Sequence, residues 1–103
     1  MLSAETRLLM FTSDHCPFCQ AWERDIGTIY NKSPYAAHFP LQRVMADAGL
    51  PENISFAGPV KGTPTFIILS DRKEVGRFRG YVDAEMFWWQ LSDFLPEDAV
   101  LQP

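Results

Sequence analysis

The most reactive side chains of this 103-residue sequence lie in one short motif, Cys16-Pro17-Phe18-Cys19, which contains both of its cysteines. Two thiols at this spacing can form a disulfide and pass it to a partner, because a thiolate attacks a disulfide sulfur through a mixed-disulfide intermediate. A purely structural disulfide is the alternative, but its stabilising effect grows with the length of the loop it closes. The gain across two intervening residues is small, so the spacing favours thiol–disulfide exchange.

Metal binding is the other chemistry that two nearby cysteines suggest. A structural zinc site takes about four ligands, and the best set in this sequence is Cys16, Cys19, His15 and His38. Soft Cu(I) can be bound by the two sulfurs alone, so a copper chaperone stays open as an alternative. We expect neither a resident metal nor a cofactor, and we expect His38 to have no role.

The residues around the motif predict a strand followed by a helix. A continuous apolar run over residues 7–12 is typical of a central strand buried on both faces. Pro17 suits the first turn of a helix, where its missing N–H costs nothing. The helix is predicted over residues 17–30, and its apolar stripe consists of Phe18, Trp22, Ile26 and Ile29.

This placement predicts different roles for the two cysteines. Unpaired N–H groups and the macrodipole at a helix N-terminus favour negative charge, and the thiolate is the reactive form of cysteine. Cys16 is therefore expected to be the exposed attacking sulfur. Cys19, one helical turn further on, is expected to be the shielded resolving sulfur.

The rest of the chain predicts an α/β domain of order β-α-β followed by β-β-α. The predicted elements are a short turn over 35–39, a strand over 41–46, a loop over 47–59 with a helical turn near 52–56, strands over 65–69 and 75–79 joined by a charged turn over 71–74, and a final helix. Asp83 is the predicted N-cap of this helix, and Pro96 ends it. Its apolar face consists of Ala84, Phe87, Trp88, Leu91, Phe94 and Leu95. Trp22 and Trp88 are predicted to be core residues, whereas Trp89 lies off the apolar face and is the better contact candidate.

Composition limits the class of protein. Residues 1–103 fit one domain, and a hydrophobic content of 47% is sufficient for a single core. A net charge of −4 argues against nucleic-acid binding, and no apolar run is long enough for stable membrane insertion. Residues 1–7 show no secretory signal, but this leaves the compartment open.

Two segments resemble the thioredoxin superfamily: residues 8–20 around the cysteines, and Gly62-Thr63-Pro64-Thr65 before a predicted strand. The resemblance covers about residues 7–95. It implies a thioredoxin-like fold with a mixed, mostly four-stranded sheet and helices on both faces. It also implies that Pro64 is the family's cis-proline, which packs against the disulfide, and that an extended substrate segment adds to the backbone beside Thr63.

The sequence departs from the family pattern in several ways. Thioredoxins have a buried aspartate six residues before the first cysteine, where this chain has Met10. The Cys-Pro-aromatic-Cys motif is more similar to glutaredoxins, whereas the loop over residues 62–66 is more similar to thioredoxins and their periplasmic relatives. The short segment before the first strand implies that the first strand and helix of full-length thioredoxins are missing. The combination resembles bacterial periplasmic thioredoxin-like proteins, including those of sulfur-oxidation gene clusters.

Three residues beside the cysteines have expected roles of their own. His15 and Pro17 are expected to modulate the thiol pKa; a protonated His15 would lower the pKa of Cys16 by placing a positive charge beside the thiolate. A solvated loop histidine is the alternative for His15. Phe18 is expected to contact substrate if it is exposed, and to belong to the core if it is not.

The resemblance implies a thiol–disulfide oxidoreductase that reduces a disulfide of a partner protein. We expect a monomer that a membrane or soluble thiol donor re-reduces. The periplasm is the expected compartment, with the cytoplasm as the alternative. A glutathione-dependent enzyme of the glutaredoxin type and a Cu(I) chaperone are the two alternative functions.

Overall fold

The computed structural model describes residues 5–96, which form one mixed sheet with helices packed on it. The strands are β1 (Thr6–Thr12), β2 (Leu41–Met45), β3 (Thr65–Ser70) and β4 (Lys73–Arg79). Their order in the sheet is β2-β1-β3-β4. β1 and β2 are parallel, whereas β1 with β3 and β3 with β4 are antiparallel. The predicted four-stranded mixed sheet is confirmed.

Three α-helices, one π-helix and two 3₁₀ turns accompany the strands. The α-helices are α1 (Pro17–Trp22), α2 (Tyr35–His38) and α3 (Ala84–Ser92). A π-helix follows α1 over Glu23–Gly27, and 3₁₀ turns cover Tyr30–Lys32 and Ala46–Ala48. Within residues 5–96, no helix combines the length and the apolar character needed to cross a membrane.

The continuous α-helix predicted over residues 17–30 is wrong beyond Trp22. The backbone widens there into the π-helix, in which each N–H bonds five residues back and the side chains rotate relative to an α-helical register. Ile26 remains fully buried, but Ile29 is exposed. The buried part of the predicted apolar stripe therefore ends at Ile26.

One face of the sheet carries a large cluster of buried side chains, here called the helix-side cluster. It consists of Leu8, Met10, Cys16, Cys19, Trp22, Ile26, Tyr30, Phe39, Phe66, Ile68, Tyr81, Phe87 and Leu91. Aromatic rings dominate it: the Trp22 ring lies 5.6 Å from Phe66 and 5.5 Å from Phe87 between centroids. Because alternate residues of a strand point to opposite faces, Leu8 and Met10 of β1 supply the strand's contribution to this face.

The opposite face carries a smaller cluster, here called the loop-side cluster. It consists of Leu9, Phe11, Val44, Ile67 and Leu69, covered by Ile54, Phe56 and Val60. The covering residues belong to the segment between β2 and β3, whose one helical turn is the 3₁₀ turn at Ala46–Ala48. The helical layer expected on this second face is therefore a loop, and α1, α2 and α3 all pack on the other side.

The connections differ from the predictions at two places. Residues 52–56 form no helical turn; Ser55 instead makes an isolated parallel bridge to Lys73. The charged turn is confined to Asp71 and Arg72, which adopt φ values of 51° and 66°, and β4 begins directly afterwards at Lys73. Two consecutive left-handed residues form a tight hairpin turn, so fewer residues are needed than the charge run suggested.

The start of the last helix agrees with its sequence signals. Asp83 is its N-cap, and the backbone N–H of Met86 donates to the Asp83 carboxylate at 2.8 Å. Phe87 and Leu91 are buried, and Trp88 stacks on Tyr35. α3 ends at Ser92, so the predicted end at Pro96 is wrong; Phe94 and Leu95 lie beyond the helix and still pack against the helix-side cluster.

Candidate active site

Cys16 and Cys19 form a disulfide at the start of α1, with their Cα atoms 5.2 Å apart. Cys16 is the N-cap residue, and Pro17 is the first residue of the helix, as its missing N–H allows. The backbone N–H of Cys19 donates to Cys16 Sγ at 3.1 Å. The side chain that caps the helix is therefore the sulfur itself, and a backbone donor points at the atom that would carry the negative charge of a thiolate.

The expected exposure of Cys16 is wrong. Its exposed fraction is 6%, against 2% for Cys19, so both sulfurs belong to the helix-side cluster. Tyr81, which follows β4, belongs to the same cluster. Cys16 is still the more accessible of the two. Phe18, between the two cysteines, is 60% exposed. Of its two predicted alternatives, the exposed position is therefore right and the core position is wrong.

The loop before β3 has a defined shape. Gly62 adopts φ of +80°, which a residue without a Cβ tolerates best. The Thr63–Pro64 peptide bond is cis, and Thr65 Oγ1 donates to the Gly62 carbonyl at 2.8 Å. The Pro64 carbonyl in turn accepts the N–H of Gly80 at 2.8 Å. The residue after Gly80 is Tyr81, a member of the helix-side cluster to which both cysteines belong.

The two histidines lie in different places. His15 is an exposed residue immediately before Cys16, and its backbone N–H donates to Ser13 Oγ at 3.3 Å. His38 ends α2, where its carbonyl accepts a hydrogen bond from Thr6 Oγ1. Across residues 5–96, no three histidine, cysteine, aspartate or glutamate side chains are grouped as a metal site would require.

An open cleft of about 470 Å³ lies beside Cys19. It is lined by Thr12, Ser13, Asp14, Cys19, Gln20, Glu23, Arg43 and Met45. Arg43 of β2 donates from Nε and Nη2 to the two carboxylate oxygens of Glu23, both at 2.7 Å, and its guanidinium carbon lies 5.8 Å from the centre of the Trp22 ring. The hydrogen bonds that Arg43 donates to Glu23 raise the pKa of Arg43 above its already high usual value. Sequence reasoning did not single out this pair.

Tyr81 and Asp25 form a second contact that sequence reasoning missed. The Tyr81 hydroxyl donates to Asp25 Oδ2 at 2.7 Å and links the π-helix to the segment after β4. Burial, followed by the hydrogen bond to Asp25, raises the pKa of Tyr81 above its ordinary value. The two residues are 56 positions apart in the sequence, so only the folded structure brings them together.

The sequence model of the thioredoxin-like domain family matches residues 3–95. A comparison with curated protein sequences gives no significant match.

Solved structures of thioredoxins share the fold. The reduced form of the periplasmic thioredoxin SoxS from Paracoccus pantotrophus is 35% identical, with a TM-score of 0.83 over 86% of this chain and 94% of that one. A thioredoxin from Thermus thermophilus is 26% identical, with a TM-score of 0.58 over 86% and 72% of the two chains. A thioredoxin from Malassezia sympodialis, at 15% identity and a TM-score of 0.60 over 86% and 76%, shares the fold alone.

Proposed function

This chain belongs to the thioredoxin-like family, and on that premise we propose that it is a protein disulfide reductase in which Cys16 attacks and Cys19 resolves. The observation that carries the proposal is the Cys16–Cys19 disulfide at the N-terminus of α1, with the Cys19 N–H directed at Cys16 Sγ. A redox-active pair on this fold is the machinery of a thiol–disulfide oxidoreductase. The direction of electron flow, the attacking and resolving roles and the partner are what we propose beyond that.

The cycle follows from the two positions. In the reduced protein the Cys16 thiolate attacks one sulfur of a partner disulfide, forms a mixed disulfide and releases the other partner sulfur as a thiolate. Cys19 then loses its proton and attacks Cys16 Sγ, which forms the Cys16–Cys19 bond and breaks the bond to the partner. Two electrons pass to the partner disulfide. A thiol donor, either a membrane protein or a soluble reductase, returns the pair to the reduced state.

The substrate segment is proposed to lie beside Thr63, Pro64 and Phe18. Within residues 5–96, no backbone hydrogen bond occupies the N–H or the carbonyl of Thr63, so an extended segment could pair there as an added strand. The exposed ring of Phe18 offers apolar contact area next to the sulfurs. His15 and Pro17, on either side of Cys16, are proposed to tune the reactivity of its thiol.

We place the protein in the periplasm, as a monomer that uses no cofactor. The support is the 35% identity to a thioredoxin described as periplasmic. The cytoplasm remains the alternative compartment, and a fractionation experiment with antibody detection distinguishes the two.

The decisive experiment is reduction of a protein disulfide substrate by the wild-type protein and by Cys16→Ser, with dithiothreitol as the thiol donor. Turnover by the wild type and none by Cys16→Ser supports the proposal, because serine cannot form the mixed disulfide. Turnover that survives in Cys16→Ser excludes it. Activity that requires glutathione would favour the glutaredoxin-type alternative, and tight Cu(I) retention without exchange would favour the chaperone.

The direction of electron flow is tested by the reduction potential of the Cys16–Cys19 couple. Equilibration with thiol–disulfide buffers, followed through Trp22 fluorescence, gives this value. A potential near that of thioredoxin, about −270 mV, supports a reductase, whereas a value near about −120 mV would make the protein an oxidant of its partner.

A further inference from the structure

The resolving step needs a destination for the proton of Cys19. A thiol becomes an effective nucleophile when it is deprotonated, and Cys19 is only 2% exposed. Across the described part of the chain, the buried polar side chains are Thr12 and Thr65, so no aspartate or glutamate is buried beside the sulfurs. A base for Cys19 must therefore reach it from the surface.

The cleft lined by Cys19 is where solvent and charged side chains come close to this residue. Three charged side chains line it: Asp14 from the segment before α1, Glu23 from the π-helix and Arg43 from β2. Asp14 is an exposed residue whose carbonyl, rather than its carboxylate, takes part in a local hydrogen bond, from Gln20 Nε2 at 3.2 Å. The Glu23 backbone N–H still bonds to the Cys19 carbonyl four residues back, so the two residues lie on the same side of the helix, and both line the cleft.

Glu23 is also the carboxylate whose position the fold fixes. Arg43 donates a hydrogen bond to each of its two oxygens at 2.7 Å, and the guanidinium of Arg43 lies over the buried Trp22 ring. A Cβ built on Gly27 would overlap a carboxylate oxygen of Glu23, so the absence of a side chain at Gly27 leaves room for this arrangement. Arg43 of β2 and the space left at Gly27 thus fix the Glu23 carboxylate at the edge of the cleft.

We propose that Glu23, positioned by Arg43, accepts the proton of the Cys19 thiol through water in the cleft during resolution. The S–H bond of Cys19 breaks, its proton passes to the Glu23 carboxylate, and the thiolate attacks Cys16 Sγ of the mixed disulfide. The Cys16–Cys19 bond forms as the partner leaves as a thiolate, and the proton on Glu23 returns to solvent or to that thiolate. This inference rests on the attacking and resolving roles proposed above and deepens them.

The test separates the two steps of exchange with a peptide disulfide. Formation of the mixed disulfide is followed by acid quenching and mass spectrometry, and its resolution by the appearance of the Cys16–Cys19 disulfide, from pH 6 to 9. Glu23→Gln removes the base. Gly27→Ala keeps every charge but displaces the Glu23 carboxylate, and Gly58→Ala is its control, since a Cβ there meets no neighbouring atom within 4 Å. Asp14→Asn removes the other carboxylate of the cleft, and Asp25→Asn removes the carboxylate two residues after Glu23, which binds the Tyr81 hydroxyl.

We expect Glu23→Gln to slow resolution at pH 7 by about tenfold, less than the ~10²–10⁴-fold of a full general base because solvent also reaches the cleft. Gly27→Ala should slow it in the same direction. Mixed-disulfide formation should be unchanged, and the defect should shrink toward pH 9 as hydroxide replaces the base. Resolution in Glu23→Gln at the wild-type rate would overturn the proposal, as would an equal loss in Asp14→Asn or Asp25→Asn.

Two further outcomes are distinguishable from these. If the wild type forms no mixed disulfide through Cys16, the proposed function itself fails and the role of Glu23 with it. If Glu23→Gln slows mixed-disulfide formation and resolution alike, the carboxylate acts on the site as a whole and not on Cys19, and the proposal is overturned. Thermal unfolding of each variant confirms that the compared proteins are folded.

Discussion

The two faces of the sheet are covered in different ways. The helix-side cluster packs aromatic rings and the two cysteines beneath α1, α2 and α3. The loop-side cluster has five buried residues beneath an extended segment. That segment is attached through polar contacts: Arg77 donates to the carbonyls of Gly58 and Pro59, and Glu74 accepts the N–H of Ala57.

The redox site therefore lies on the face that aromatic packing covers, and the loop attached by hydrogen bonds lies on the opposite face. Rigid aromatic packing fixes the position of a disulfide in three dimensions, because close-packed interiors tolerate little displacement. A loop attached by hydrogen bonds to β4 opens more easily, since such contacts contribute less than buried apolar area. Stability should therefore depend on both faces, whereas thiol exchange should depend on the helix side alone.

Phe66→Ala should produce the largest effect. The ring is fully buried and contacts Trp22, Phe78 and Phe87, so its loss should reduce the free energy of unfolding by about 3–5 kcal/mol. Urea denaturation measures this change. The neighbouring Ile67→Ala, on the loop side, is the matched control and should cost about 2–5 kcal/mol. Exchange kinetics under conditions where both variants are folded should change in Phe66→Ala only; equal changes would remove the distinction between the faces.

Phe56→Ala tests the loop side with a smaller expected effect. The ring is half-buried and meets Phe11 edge-on, with centroids 6.0 Å apart. We expect a loss of about 1–3 kcal/mol in the free energy of unfolding, together with faster amide exchange between residues 54 and 60. The reduction potential and the exchange rate should remain those of the wild type. A shifted potential would show that the loop-side cover reaches the redox site.

Much of this organisation was predictable, and the exceptions have a physical cause. β1, β3 and the capped helix α3 follow from local patterns, as do the buried Trp22 and the exposed Trp89. The π-helix does not, since the same apolar residues suit either kind of helix, and its residues Glu23 and Asp25 bond to Arg43 and Tyr81, which lie far away in the sequence.

The burial of Cys16 and the cleft at Cys19 also depend on distant residues. Tyr81, which follows β4, belongs to the cluster that buries both cysteines, and Arg43 reaches Glu23 from β2, 20 residues away. Opposite charges at two such positions carry no signal in one sequence. The chemistry of the site was therefore visible in the motif, whereas its surroundings were not.

Glu74→Gln is expected to have the smallest effect and to depend on pH. The hydrogen bonds from Arg77 hold the pKa of the Glu74 carboxyl below its usual value, so this group stabilises the folded state above about pH 4.5 and the contribution is lost as the pH falls further. The variant should be less stable than the wild type by about 1 kcal/mol or less at pH 7. The difference should disappear in acid. Amide exchange at Ala57, whose N–H then faces a neutral amide in place of the carboxylate, should report the change first; a stability difference that does not decrease as the pH falls below about 4.5 would contradict this account.

The position of β4 at the edge of the sheet has a consequence for solubility. An edge strand offers free backbone groups on which a second copy could add and begin aggregation. Here Ser55 bonds with the backbone of Arg72 and Glu74 and occupies the start of that edge. Lys73 and Arg79 stand exposed at the two ends of the strand, so another copy approaching the same edge would meet like charges. Ser55 thus blocks the Lys73 end of the edge against pairing with a second copy, and the charges of Lys73 and Arg79 disfavour such pairing at both ends.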